Sequence, residues 1–209
     1  MYRYIKRTID FIFSLLFIIL FFWLYLILAL CVKLSSKGPA LFKQERLGKN
    51  GKVFTMYKFR SMCVNAEHTG TGVYSFKDDP RVTKVGKFLR NTSLDELPQL
   101  FNILKGDMSL VGPRPVLTYH PWTFDKYTDE QKKRFEVRPG VTGWAQVNGR
   151  KQPPWDIRLK LDAEYVEKMS FCFDIKIIFL TVKSVFKNSD NENTSETAVT
   201  PEKDKADIK

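Results

Sequence analysis

The sequence is poor in the residues that most often build metal centres and crosslinks. Its 209 residues include three cysteines, Cys31, Cys63 and Cys172, which lie far apart and match neither a disulfide framework nor zinc-site spacing. The two histidines, His68 and His120, are also isolated. A histidine-based site, a structural zinc and a disulfide-stabilised fold are therefore disfavoured, and three separate thiols suit a reducing, cytoplasmic environment.

Acidic residues are in the minority. The chain carries 34 Lys and Arg against 23 Asp and Glu, which gives a formal net charge of +11. Such a charge favours an anionic partner, meaning nucleic acid, acidic lipid or a phosphorylated substrate. No recognised nucleic-acid-binding motif is present, so we expect no nucleic-acid partner. Because the chain also has an apolar N-terminal segment, membrane lipid is the simpler explanation of the charge.

The residues from Phe11 to Val32 form one long apolar run, in which Ser14 is the only clearly polar residue. As a helix this run is about long enough to cross a ~30 Å hydrocarbon core. Basic residues flank both ends, with Arg3, Lys6 and Arg7 before the run and Lys33, Lys37, Lys43 and Arg46 after it. Because basic flanks prefer the cytoplasm, the run is either a re-entrant helix or a simple spanning helix. Its middle, from Leu20 to Tyr25, has no Pro, Gly or Ser, which disfavours a sharp turn.

Residues 1–38 are therefore predicted to anchor a small, mainly helical α+β domain at residues 39–187. Two apolar stretches, 41–47 and 53–59, flank an Asn-Gly turn and predict a β-hairpin. On its second strand Lys58 and Arg60 share one face, which is either functional or simply solvated. Residues 82–89 are basic and amphipathic. Helices are predicted at 97–104, where Leu97, Leu100, Phe101 and Leu104 form one buried face, and at 128–137, 157–168 and 173–186. Loops are predicted at 63–80 and 138–144, and disorder at 188–209. The helix at 173–186 has an apolar face that suits a membrane surface or a core.

The adjacent carboxylates Asp95 and Glu96 are the clearest chemical signal. The segment from Ser93 to Glu96 also matches a capping box, which would be a purely structural role. In the chemical interpretation, the start of a helix binds phosphate and keeps Asp95 ionised, so that Asp95 attacks phosphorus while Glu96 holds Mg²⁺. Neighbours on a helix point about 100° apart, which favours two separate roles. Arg114, between two prolines, suits a phosphate or pairs with a nearby acid.

Several motifs occur in a fixed order along the chain. They are Lys58-Phe-Arg60-Ser-Met62, Asp79-Pro-Arg81, Ser93-Leu-Asp95-Glu96-Leu-Pro-Gln99, Lys105-Gly-Asp107-Met-Ser-Leu-Val-Gly-Pro113-Arg114-Pro115 and Arg138-Pro-Gly-Val-Thr-Gly-Trp144-Ala-Gln146-Val-Asn-Gly-Arg150. Together they resemble the bacterial sugar transferase family, the small monotopic phosphoglycosyl transferases, as far as about residue 187. One departure is that Phe22-Trp23 stands where the family commonly has a Ser-Pro pair that kinks its membrane helix.

The resemblance implies a reaction at the cytoplasmic face of the bacterial inner membrane. A sugar-1-phosphate would pass from a UDP-sugar to undecaprenyl phosphate, or another polyprenyl phosphate, with release of UMP. Asp95 would be the nucleophile and form a phosphosugar intermediate, and Glu96 would bind Mg²⁺. Substrate contacts are implied for Lys58, Arg60, Arg90, Arg114, Gln146 and Arg150. The donor would be an N-acetylated hexosamine derivative or a neutral hexose such as glucose or galactose, and a homodimer is left open.

Other functions compete with this one. An ordinary UDP-sugar glycosyltransferase would release UDP, although its usual Asp-x-Asp metal motif is missing from residues 39–187. A membrane-bound binding module without activity would use Asp95 and Glu96 only to cap a helix. Nucleic-acid binding is supported by the charge alone.

Overall fold

The computed structural model describes residues 2–72, 75–76, 78–148 and 154–187. The tail predicted to be disordered, 188–209, lies outside the described residues. Within them the fold is α+β, as predicted. The helices are α1 (Tyr2–Leu20), α2 (Phe22–Ser35), α3 (Lys84–Asn91), α4 (Gln99–Lys105), α5 (Asp129–Lys132), α6 (Trp144–Asn148), α7 (Trp155–Lys168) and α8 (Phe171–Lys187).

Two small sheets accompany the helices. The strands are β1 (Leu41–Leu47), β2 (Val53–Phe59), β3 (Ser109–Val111), β4 (Val116–Leu117) and β5 (Gly140–Thr142). The hairpin of β1 and β2 is confirmed, with Leu41 opposite Phe59 and Leu47 opposite Val53, and β4 pairs with the other edge of β1. The pairing of β3 with β5 is parallel and corrects the predicted loop at 138–144.

The apolar N-terminal run forms two helices rather than one. Helices α1 and α2 meet at Phe21 and are bent by 68°. Neither helix alone is long and apolar enough to cross a membrane, whereas the bent pair meets that requirement in length and composition. The bend forms without Pro or Gly, because each half packs on a different part of the domain: α1 against α4 and β3, and α2 against α3 and β2. We call this bent pair the N-terminal arm.

Polar contacts fasten the first turns of α1 to the domain. Tyr2 and Lys6 both donate to Asp174 of α8, at 2.5 and 2.6 Å. The Arg7 guanidinium donates to the Ile103 and Leu104 carbonyls at the end of α4. Further along α1, buried Asp10 accepts a 2.6 Å hydrogen bond from the Ser109 hydroxyl.

The end of α2 is held by the same domain. Arg60, which follows β2 and is 5% exposed, donates to the backbone carbonyls of Val32, Ser36 and Pro39. In the middle of α2, the Tyr25 hydroxyl donates to the Leu97 carbonyl at 3.1 Å. Arg60 therefore satisfies carbonyls that the end of a helix leaves without partners.

The outer faces of the arm and of α8 are apolar and exposed. Leu16 is 61% exposed, Trp23 57% and Leu26 57%. On α8 the exposed apolar residues recur at helical spacing: Phe171, Ile175, Ile178, Phe179 and Val182. The opposite face of α8 packs on β3 and β5. The helix predicted at 173–186 is thus confirmed and covers a core while leaving an apolar face open.

Two predicted helices differ from the observed ones. The predicted helix at 128–137 is a short α5 followed by a 3₁₀ turn at Lys133–Glu136, in which Arg134 and Phe135 are buried rather than on a charged surface. On α4 the buried face includes Asn102, which is fully buried, while Phe101 is 39% exposed. Asn102 turns inward because its amide hydrogen-bonds the β2 backbone, donating to Thr55 O at 2.7 Å and accepting from Tyr57 N at 3.0 Å.

Candidate active site

The two carboxylates lie on a 3₁₀ turn, Leu94–Glu96, just before α4. Ser93 has a left-handed φ of 56° and its side chain does not cap this turn, so the predicted capping box is wrong. Helix α4 begins only at Gln99, after Pro98. The pair is therefore held on a separate tight turn, and helix capping does not explain why two acids stand here.

Glu96 is paired with two cations. Its Oε1 accepts from Lys58 Nζ at 2.7 Å and from Arg114 Nη1 at 3.4 Å, and its side chain is 19% exposed. Burial alone would raise the pKa of Glu96, but Lys58 and Arg114 outweigh burial and lower this pKa to about 2. Glu96 is thus a firmly ionised carboxylate at neutral pH.

Asp95 has the opposite balance. It is 8% exposed, and burial, with a further contribution from the Glu96 charge, raises its pKa above the usual range. Lys58, Arg90 and Arg114 oppose that rise because their charges favour the ionised carboxylate. Two adjacent acids therefore have environments that push their pKa values apart, a pattern that accompanies a division of chemical roles.

Arg90 joins this group from α3. Its guanidinium donates to Ser61 Oγ at 2.9 Å and to Ser75 Oγ at 2.8 Å, and its charge acts on Asp95. Helix α3 starts at a Thr83 cap and lies so close to the backbone of Ser61 that a Cβ at Gly86 would come within 1.9 Å of the Ser61 carbonyl oxygen. Glycine at this position lets α3 approach and carries Arg90 to the carboxylates.

Of the eight residues predicted from the sequence, the structure brings five together: Asp95, Glu96, Lys58, Arg90 and Arg114. Arg60 lies elsewhere, at the end of α2. There its guanidinium donates to the carbonyls of Val32 and Ser36, and its substrate contact stays a prediction. Gln146 on α6 donates to Val141 O at 3.0 Å, which holds it against β5. Arg150 falls outside the described residues, so its role stays a prediction.

Two arginines that the sequence analysis missed hold Arg114 in place. Arg134 Nη2 donates to the Arg114 carbonyl at 2.7 Å, and Arg46 Nη1 donates to the Pro115 carbonyl at 3.2 Å. Arg134 also pairs at 3.0 Å with Asp162 of α7, and both side chains are 2% exposed. The sequence pattern placed Arg134 on a charged surface helix and Arg46 among the basic residues after the apolar run, so neither stood out.

The donor set limits which metal this site suits. Among the described residues, no group of three or more His, Cys, Asp or Glu is arranged to hold an ion. Magnesium commonly needs only one or two carboxylates, with waters and substrate phosphates as its other ligands. Asp95 and Glu96 fit that requirement and do not fit a zinc site built from protein ligands alone.

A family model described as bacterial sugar transferase matches residues 1–188. The chain belongs to the bacterial sugar transferase family. The match extends across the N-terminal arm, the carboxylate turn and the Pro-Arg-Pro segment, so all parts of the site lie within the family's shared region. The family resemblance expected from the motifs is confirmed.

Curated relatives of this bacterial sugar transferase carry consistent names. The chain is 44% identical over 191 residues to a UDP-glucose:undecaprenyl-phosphate glucose-1-phosphate transferase of Escherichia coli, covering 89% of this chain and 41% of the relative. It is 47% identical to the uncharacterized sugar transferase EpsL of Bacillus subtilis, covering 78% of each. It is 43% identical to a UDP-N-acetylgalactosamine-undecaprenyl-phosphate N-acetylgalactosaminephosphotransferase of Aeromonas hydrophila, covering 88% of this chain and 44% of the relative.

The chain therefore spans less than half the length of two of these relatives and most of the length of the third. What the longer relatives act on is a property of those proteins.

Proposed function

We propose that this chain transfers a sugar-1-phosphate from a UDP-sugar to undecaprenyl phosphate and releases UMP. The observation that carries the proposal is the buried Asp95 beside the firmly ionised Glu96, with Lys58, Arg90 and Arg114 around them. Three cations around two carboxylates suit a reaction at a diphosphate. The cations neutralise the phosphate charge, and a carboxylate can attack the phosphorus. The names of the relatives point to the same donor and acceptor classes.

In the first half-reaction, an Asp95 carboxylate oxygen attacks the sugar-bearing phosphorus. The new O–P bond forms as the bond from that phosphorus to the bridging oxygen breaks, and the electron pair leaves on UMP. Lys58, Arg90 and Arg114 stabilise the negative charge on the transferring and leaving oxygens. Glu96 keeps Lys58 and Arg114 oriented toward the pair, at 2.7 and 3.4 Å.

In the second half-reaction, a phosphate oxygen of undecaprenyl phosphate attacks the phosphosugar on Asp95. The Asp95 carboxylate leaves, and the lipid diphosphate sugar is the product. Covalent catalysis of this kind divides one difficult displacement into two easier ones and gives ping-pong kinetics.

Glu96 would bind Mg²⁺ together with the donor phosphates. The ion supplies charge neutralisation, which lets an anionic carboxylate approach an anionic diphosphate. The Glu96 carboxylate is suited to this role because its pKa of about 2 keeps it ionised at any physiological pH.

The sugar is the open part of the proposal. We favour an N-acetylated hexosamine derivative, and the N-acetylgalactosamine in the name of the Aeromonas relative is consistent with it. The glucose in the name of the Escherichia relative supports the alternative, a neutral hexose. A panel of UDP-sugars separates the two.

In this proposal the arm is a re-entrant segment, which enters and leaves the cytoplasmic leaflet of the bacterial inner membrane on the same side. Both of its ends are held by one domain, through Lys6 and Arg7 at the start and Arg60 at the end. At 1.5 Å per residue, α1 and α2 are roughly 28 and 21 Å long. With a bend of 68°, the junction at Phe21 lies about 13 Å from the line that joins the two outer ends of the arm. That depth is less than half of a ~30 Å hydrocarbon core. The apolar face of α8 would lie on the same membrane surface.

The test is nucleotide release by the detergent-solubilised chain with Mg²⁺, undecaprenyl phosphate and UDP derivatives of glucose, galactose, N-acetylglucosamine and N-acetylgalactosamine. We expect UMP from at least one donor and a loss of about 10⁴-fold or more in kcat for Asp95→Asn. Asp125→Asn, the same change at an exposed position, is the matched control. Without acceptor, the wild type should release one UMP per protein and gain the mass of a phosphosugar.

UDP as the product would replace this proposal with an ordinary glycosyltransferase. An Asp95→Asn variant as active as wild type would remove Asp95 from the chemistry.

A further inference from the structure

A shallow cleft lies beside the Pro-Arg-Pro segment, and Arg114 and Pro115 form part of its wall. Six of the side chains that line it are basic or aromatic: Arg46, Arg114, His120, Arg134, Trp155 and Arg158. Within the part of the chain that the structure describes, the four guanidinium groups meet two carboxylates, Asp162 beside Arg134 and Glu96 beside Arg114, so the cleft keeps a net positive charge that favours an anion. Arginine is also the side chain best suited to phosphate, because its planar fork donates two parallel hydrogen bonds.

The cleft is built from buried parts. Arg134 is 3% exposed, and no hydrogen bond from its Nη1 is found among the described residues. Burial raises the pKa of the neighbouring Tyr127 hydroxyl, and the Arg134 charge opposes that rise. Asp162 holds the other side of this guanidinium at 3.0 Å. Arg158 stacks over the Trp155 ring, 4.5 Å from its centroid, which fixes the position of a second cation.

Arg114 connects the cleft to the carboxylates. Its Nη1 is 3.4 Å from Glu96 Oε1, while the residue also lines the cleft. The backbone of the same segment is held from the cleft side, by Arg134 at the Arg114 carbonyl and by Arg46 at the Pro115 carbonyl. A diphosphate could therefore place one phosphorus near Asp95 and the other toward the cleft, with Arg114 between them.

The cleft is also separate from the membrane-facing surfaces. Its walls come from β1, β4, α7 and the turn at 133–136, whereas the arm packs on α3, α4, β2 and β3. A water-soluble anion is therefore a better fit to this position than a lipid headgroup.

We propose that this cleft is a second phosphate subsite, which holds the phosphate that departs with the nucleotide while Asp95 attacks the neighbouring phosphorus. The inference rests on the proposed transferase function. As the bond to the bridging oxygen breaks, its electron pair stays on the nucleoside monophosphate, and the cleft arginines stabilise that developing charge. Arg158 and Arg134 are thus leaving-group residues, distinct from the group around Glu96.

The experiment compares binding of UMP and of uridine to the full-length, detergent-solubilised chain by calorimetry. We expect Arg158→Gln to weaken UMP binding by about 10-fold or more and to leave uridine binding unchanged, because only UMP carries the phosphate. Arg158→Lys, which keeps the charge and loses the planar fork, should have an affinity between those of Arg158→Gln and the wild type. Lys168→Gln removes the same charge from an exposed position of the same helix and should bind UMP like wild type.

Equal UMP affinity for wild type and Arg158→Gln would overturn the subsite, and so would an equal loss for UMP and uridine. UMP release measured in parallel separates the two proposals. If the wild type releases UMP from a UDP-sugar and Arg158→Gln still binds UMP normally, the phosphate subsite is wrong and the transferase function stands. If no UDP-sugar yields UMP and yet UMP binding depends on Arg158, the transferase function fails and the phosphate subsite stands.

Discussion

The N-terminal arm and the carboxylate site distribute their side chains in opposite ways. The arm exposes large apolar residues such as Leu16 and Trp23, at 61% and 57%, while the site holds Asp95 at 8% exposure. Folded domains in water usually do the reverse. Each region departs from that rule in the direction that its proposed partner requires: lipid for the arm, and phosphate for a cluster of buried charges. Four substitutions test this contrast, from the largest expected effect to the smallest.

The largest effect should come from Glu96→Gln, which removes the charge that pairs with Lys58 and Arg114. We expect kcat for UMP release to fall by about 10²- to 10³-fold, because two cations lose their orientation and Mg²⁺ loses a ligand. The measurement is initial rate against Mg²⁺ concentration. Glu164→Gln, which breaks an exposed ion pair on α7, is the control. An unchanged kcat would show that the charges buried here serve the fold alone.

A charge placed on the arm tests the other side of the contrast. Leu26 on α2 is 57% exposed, and Leu26→Lys should cost roughly 2.5–3.5 kcal/mol of membrane affinity if this position lies in hydrocarbon. Flotation with vesicles that contain anionic lipid measures the bound fraction. Tyr119→Lys, at a domain residue that is 59% exposed, should bind as wild type does. Equal binding by both variants would mean that the arm does not enter the lipid.

Substitution of Arg60 tests whether this residue stabilises the N-terminal arm or contacts the substrate. Arg60→Met removes the donors to the Val32 and Ser36 carbonyls, and we expect a loss of about 2 kcal/mol in the free energy of unfolding with KM for the donor unchanged. Thermal unfolding in detergent and steady-state kinetics provide both readings. The free energy of unfolding of Arg60→Lys should lie between those of Arg60→Met and the wild type. A raised KM at normal stability would support the substrate contact that the sequence suggested.

The smallest effect is a shift in pH dependence, which should accompany the fall in kcat caused by the loss of one catalytic cation. Lys58 is the strongest of the charges that lower the pKa of Asp95, so Lys58→Met should raise that pKa further. Because Asp95 must be ionised to attack, activity is lost as pH falls through its pKa, and the acid limb of kcat/KM should move to higher pH. Lys87→Met, which removes a 67% exposed lysine, should leave the limb in place. An unmoved limb for Lys58→Met would assign it to another group.

Local signals in the sequence were enough for the hairpin and for the long C-terminal helices. The Asn-Gly turn and the flanking apolar stretches predicted β1 and β2 with their observed ends, since a hairpin register depends on nearby residues. The motifs also identified the residues that meet around Asp95, although they did not indicate that Arg60 would turn to α2.

Distant contacts decided what the sequence analysis missed. Asn102 is polar, and a helix-period argument places it outside; the β2 backbone draws it inward. Strand β5 exists because β3, some thirty residues earlier in the chain, offers a parallel edge. The bend at Phe21 needs no proline, because packing on either side of it fixes the angle between the helices.

The hydrogen bond from Tyr25 to the Leu97 carbonyl joins the arm to a residue only two positions after Asp95. Arg7 secures the far end of the same segment through the Ile103 and Leu104 carbonyls. If the arm lies in one leaflet as proposed, these attachments hold Asp95 at a constant distance from the lipid tails. An acceptor whose tail is in the bilayer and whose phosphate is at the surface would then reach Asp95 by lateral diffusion, without leaving the membrane.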